Sequence, residues 1–97
     1  MKAEILRVDG SREEHTIREV GSRARLGALR HLTGCECFDM VNLRDGRVMC
    51  VDDTGLIDGK PINVQATSLY HSIYPRAKAA NQPIAGDVAI VLDEDFA

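Results

Sequence analysis

The chain has no tryptophan and only two tyrosines and two phenylalanines in 97 residues. Base stacking on aromatic rings, the usual sequence-tolerant grip on single-stranded nucleic acid, therefore has little material to work with. Basic residues are also scarce, with twelve Lys and Arg against fifteen Asp and Glu and a net charge of −3. Residues 1–48 hold nine Lys/Arg against eight acids, while residues 49–97 hold three against seven. A phosphate-binding face needs clustered cations, so nucleic acid is not an expected partner. The acidic end, Asp93-Glu94-Asp95, reads as a solvated surface.

No apolar run approaches the roughly 20 residues that span a bilayer, so no membrane partner is expected. The opening MKAEILRVDG carries Glu4 and Arg7 inside its apolar stretch and does not read as an export signal. Three cysteines, an odd number, fit reduced thiols better than a disulfide framework. These features together point to the cytoplasm. The glycine-rich phosphate loops GxGxxG and GxxxxGK[ST] are both missing. No Ser/His/Asp or Cys/His order supports nucleophilic catalysis, since Ser68 and Ser72 share a predicted helix with His71 but helical neighbours face apart. The expectation is no enzyme and no cofactor.

What the chain does have is dense turn chemistry between apolar segments. Residues 2–8 read as a strand, Asp9-Gly10 as a turn, and Thr16–Val20 as the returning strand. Ser22 is the expected N-cap of a first helix with Leu26, Ala28, Leu29 and Leu32 on its apolar stripe and Gly34 as its stop. Gly27, costly inside a helix, suggests close approach to a neighbour. Phe38–Leu43 and Arg47–Val51 form a hairpin about a two-residue Asp45-Gly46 turn.

Asn63 is placed as the cap of a second helix, where Ala66, Leu69, Tyr70 and Ile73 share a face and Pro75 ends the run. Arg76–Pro83 reads as a polar linker, and Val88–Leu92 as a central strand buried on both faces. The expected fold is α+β. It is a single two-layer domain over residues 1–97, with a mixed, mainly antiparallel sheet and two helices on one face, in the order β-β-α-β-β-α-β.

The densest signal lies in Val51-Asp52-Asp53, Gly55-Leu56, Gly59-Lys60-Pro61 with Asn63, Ala66-Thr67, and Gly86-Asp87 opening the last strand. In these residues the chain resembles a family of small domains of unknown function found mostly in phages, plasmids and integrated elements of bacteria. The likeness covers roughly residues 37 to 92. Thr54 departs from it, standing where an acidic position is expected. The resemblance implies a mobile-element accessory protein and implies no activity.

Candidate sites follow from the same stretch. Asp52, Asp53 and Asp58 with Lys60 offer a charged loop, although their spacing matches no calcium loop and turn chemistry is the commoner explanation. Asn63 and Thr67 at a helix start, with Asp87 nearby in the pattern, outline a binding site for a nucleotide-like small ligand, because helix N-termini present unpaired amides. Arg23 and Arg30, seven apart on the first helix, share a face that suits an acidic partner. His31, Cys35, Cys37 and Cys50 include zinc-type ligands, but Cys-x-Cys is not the usual structural spacing, and the simpler account is buried thiols around a turn. The leading expectation is a protein-binding accessory protein contacting a host or self-encoded protein. A small-ligand binder is the alternative, and a homodimer through a sheet edge is compatible with either.

Overall fold

The computed structural model describes residues 1–96. Five strands form one antiparallel sheet in the order β2-β1-β5-β4-β3. They are β1 Lys2–Leu6, β2 Arg12–Thr16, β3 Phe38–Asn42, β4 Arg47–Asp52 and β5 Val88–Leu92. There are two main helices, α1 Ser22–Thr33 and α2 Val64–Ile73, and a short α3 at Pro75–Ala79 directly follows α2. The class is α+β and the order of the main elements is as the sequence indicated. Every pairing is antiparallel, so the sheet is not mixed.

The layering differs from expectation. Alternation along the central strands splits the core in two, as period-two geometry requires. Val88 and Ile90 join Leu6, Met49 and Val51 on one face, where Ala66, Leu69, Tyr70 and Ile73 of α2 pack. Ala89 and Val91 join Ala3, Ile5 and Cys50 on the other, under Leu29, Ala28 and Leu32 of α1. The two helices thus cover opposite faces, because β5, VAIVL, is apolar on both and each face needs a cover.

Three local corrections have simple causes. The returning strand β2 begins at Arg12, not Thr16, because Gly10 takes φ 90° and Arg7 N–H bonds Ser11 O at 2.9 Å, closing the turn at once. The β3–β4 turn uses three residues, since Leu43 N–H bonds Arg47 O and leaves Arg44, Asp45 and Gly46 outside the ladder. Pro75 ends α2 but also opens α3, where a missing N–H does no harm at the first position. The stretch read as a linker is therefore partly helical, and its Ala77 is buried.

Helix ends follow their caps. Gly34 adopts φ 72° and bonds Arg30 O, as a left-handed stop should. At the other end of α1 the N-cap is Gly21, with no side-chain bond, and Ser22 is already helical. Among the described residues no helix is long and apolar enough to cross a membrane.

Candidate binding surface

The loop from Asp53 to Ile62 leaves the end of β4 and returns to α2 along a rigid path. Thr54 N–H donates to Asp52 Oδ1 at 3.0 Å, Asp58 N–H to Thr54 O at 2.9 Å, and Lys60 N–H to Gly55 O at 2.9 Å. Its far end is zipped to the strand entry at Ile84–Gly86: Asn63 N–H bonds Ile84 O, and Gly86 N–H bonds Pro61 O, both at 2.8 Å. Gly55 is buried against this stretch. A Cβ there would stand 2.9 Å from Ala85 O, closer than real contacts allow.

Most of the polar residues singled out from sequence turn inward. Asp52 has a side chain only 3% exposed and pairs with the Lys60 ammonium, which also reaches Gly34 O at 3.3 Å. Burial pushes the Asp52 carboxyl up, but the Lys60 and Thr54 hydrogen bonds outweigh it and hold it below its ordinary value. Lys60 is raised in turn, chiefly by Asp52. Asp58 accepts from the Thr54 hydroxyl at 2.8 Å.

Asn63 is wholly buried. Its Nδ2 donates to Leu6 O at 2.9 Å and Gly86 O at 3.0 Å, and its Oδ1 caps α2 by accepting from Ala66 N–H at 3.1 Å. Thr67 Oγ1 accepts from Ile84 N–H at 2.9 Å. Asp87 accepts from Val8 N–H at 2.9 Å and from Arg7 at 3.0 Å. Asn63 retains no exposed polar atom for a nucleotide-like ligand, and Thr67 and Asp87 serve the frame.

Arg7 is the polar hub that the sequence did not disclose. Its guanidinium holds Glu13 through two bonds of 2.8 and 3.0 Å, Leu32 O at 2.6 Å and Asp87 at 3.0 Å. It joins β1, β2, the end of α1 and the entry to β5. The Glu13 carboxyl is pulled down to about 2, first by Arg7 and then by His15.

The remaining candidates separate. Arg23 and Arg30 are exposed, while Arg25 between them donates to the carbonyls of Glu19 and Asp95 and ties the acidic end to α1. Cys35 and Cys50 are buried, and burial drives the Cys50 thiol up to about 12. The register sets Cys50 against Met40, not Cys37. Among the described residues no three His, Cys, Asp or Glu side chains gather as a metal would require. Gly27 faces open space rather than a close neighbour.

Beside exposed polar groups the loop also presents apolar side chains outward. Leu56 is 55% and Ile57 86% exposed. They line a cleft of about 280 Å³ with Pro83, Ile84 and the carboxylates of Asp39 and Asp53. Neither Asp39 nor Asp53 has a cation partner among the described residues, so the rim is an uncompensated negative charge beside exposed hydrocarbon. The sequence signal for this surface is Leu56-Ile57: two adjacent large apolar residues inside a glycine-rich polar loop with no core to enter.

A hydrogen-bonded loop with an outward apolar tip, set on a small α+β domain, is what the geometry offers. The family model for the domain of unknown function DUF3846 matches residues 1–97, and the chain belongs to that family. No curated protein and no solved structure matches it.

Proposed function

We propose that this protein is a non-enzymatic binding module that acts through contact with another protein, using the tip of the Asp53–Ile62 loop. One observation carries the reading. The loop's polar groups are largely spent on fixing its shape, whereas Leu56 and Ile57 are held out in water at 55% and 86% exposure. Exposed apolar surface rimmed by polar groups marks an interaction site more often than chance exposure does. Pre-ordering by the hydrogen bonds of Asp52, Thr54, Lys60 and Asn63 lowers the entropy lost on association. The carboxylates of Asp39 and Asp53 favour a partner that brings a cation beside an apolar side chain.

The family likeness to domains of phages and plasmids supports a setting in which the partner is a host or self-encoded protein in a bacterial cytoplasm, with interference in a host system as the biological role. The test is retention of a bacterial protein by the immobilised chain, beside a Leu56→Asp/Ile57→Asp variant. Both positions are exposed, so the variant keeps its melting temperature. A protein held by the wild type and released by the variant supports the reading. An identical set held by both would exclude the loop tip as the contact.

A further inference from the structure

The two edges of the sheet are not equivalent. On β3, alternation places the backbone groups of Phe38, Met40 and Asn42 outward, since Leu43 and Cys37 bond to β4. That edge is partly closed by its own chain. Met40 N–H donates to Asp39 Oδ1 at 2.9 Å, and Asn42 O accepts from the Tyr74 hydroxyl at 2.6 Å. On β2 the outward positions are Arg12, Glu14 and Thr16, because Ser11 and Ile17 bond to β1. No other described residue meets their amides or carbonyls. The β2 edge is open.

Its side chains carry a specific demand. Glu14 lies directly across from Glu4 on the same face, a like-charge pair. The Arg12 guanidinium is drawn to Glu4, and Glu14 is left exposed with no cation among the described residues. We propose that two copies of this chain pair antiparallel through β2 about a twofold axis, in the register that sets Arg12 of each copy against Glu14 of the other. This does not rest on the loop reading above.

The register is chosen by charge. Outward backbone groups must meet outward groups, so Arg12 can face Arg12, Glu14 or Thr16 of the second copy. Facing Thr16 puts the two Glu14 side chains together, and facing Arg12 opposes two cations. Only the Arg12–Glu14 register supplies the missing cation twice, as an isologous interface must. It also places the two Glu13 residues opposite each other on the far face. That contact is tolerated because each Glu13 carboxylate is already held by Arg7 and by His15 at 2.8 Å. With five residues per strand the interface is below the size of permanent dimers, so association is reversible.

The experiment is sedimentation equilibrium of the full chain over a wide concentration range, with amide hydrogen exchange on the same samples. The wild type is expected to dimerise with rising concentration, and the amides of Arg12, Glu14 and Thr16 to gain protection as it does. Glu14→Arg, which opposes two cations, should raise the dimer Kd by more than about tenfold. Arg12→Glu/Glu14→Arg together should restore it, and melting curves establish that both variants fold. A wild type that stays monomeric overturns the proposal. So does a dimer indifferent to Glu14→Arg, or one that the double exchange fails to recover.

Discussion

Asn63 Nδ2 donates to the Leu6 carbonyl at 2.9 Å, pinning the start of α2 to the end of β1 across 57 positions of chain. The same side chain reaches Gly86 O and caps the helix. Asn63→Ala should remove a cap and two further buried hydrogen bonds, lowering stability by about 3 kcal/mol. Asn63→Asp keeps the cap acceptor but turns a buried carboxylate oxygen toward two carbonyl oxygens, so it should cost at least as much as Asn63→Ala. Urea unfolding measures both. A loss below about 1 kcal/mol for Asn63→Ala would contradict the role assigned here.

Gly55 and Gly27 should respond to an added methyl with opposite signs. At Gly55 an added methyl meets Ala85 O at 2.9 Å, and the loop must move off the strand entry. Gly55→Ala should destabilise by about 2 kcal/mol. At Gly27 an added methyl meets open space in the middle of α1, so Gly27→Ala should stabilise by up to about 1 kcal/mol. Thermal melts of the pair, side by side, decide it.

Acid stability should report on Glu13. Its carboxyl has an ordinary value of 4.5 and is held at about 2 in the fold, first by Arg7. Between those values the unfolded chain binds a proton that the folded chain refuses, so stability falls as pH drops through that window. Above the window the contribution is fully present. Glu13→Gln should flatten the pH dependence of the melting temperature between these limits while lowering stability at neutral pH. An unchanged slope would show that the Arg7–Glu13 pair does not form in solution.

Thiol labelling should resolve one fast and two slow cysteines. Cys37 is exposed, whereas Cys35 and Cys50 are buried with thiols raised above their ordinary value by burial. Thiolate is the reactive form. An aromatic disulfide reagent should modify Cys37 at once and the other two only on unfolding. A second fast thiol would mean that a buried site opens readily.

The candidate site was legible only in outline. The turn-rich stretch did mark the structured loop, because Gly55, Gly59 and the Asp–Thr–Lys pattern act on neighbouring backbone. The roles within it were less visible: Asn63, Thr67 and Asp87 carry the polarity of a binding site yet spend it on the frame. Leu56 entered the sequence reading only beside Gly55 and Ile57 not at all, yet both form the exposed surface. Exposure depends on where the loop lies against Ile84–Gly86, and no spacing within residues 52–63 records that.

By itself the sequence determined the α+β class, the β3–β4 hairpin, the central apolar strand β5, the Asn63 cap with the amphipathic face of α2, and the Gly34 stop. Each arises from periodicity or turn chemistry acting over a few residues. The tertiary structure alone decided that the helices cover opposite faces, that β2 and β3 are the two edges, and that Arg7 gathers Glu13, Leu32 and Asp87. Those outcomes depend on groups as much as 80 positions apart. A local pattern fixes which residues can pair or pack, but which distant group they meet is chosen only when the whole sheet has closed.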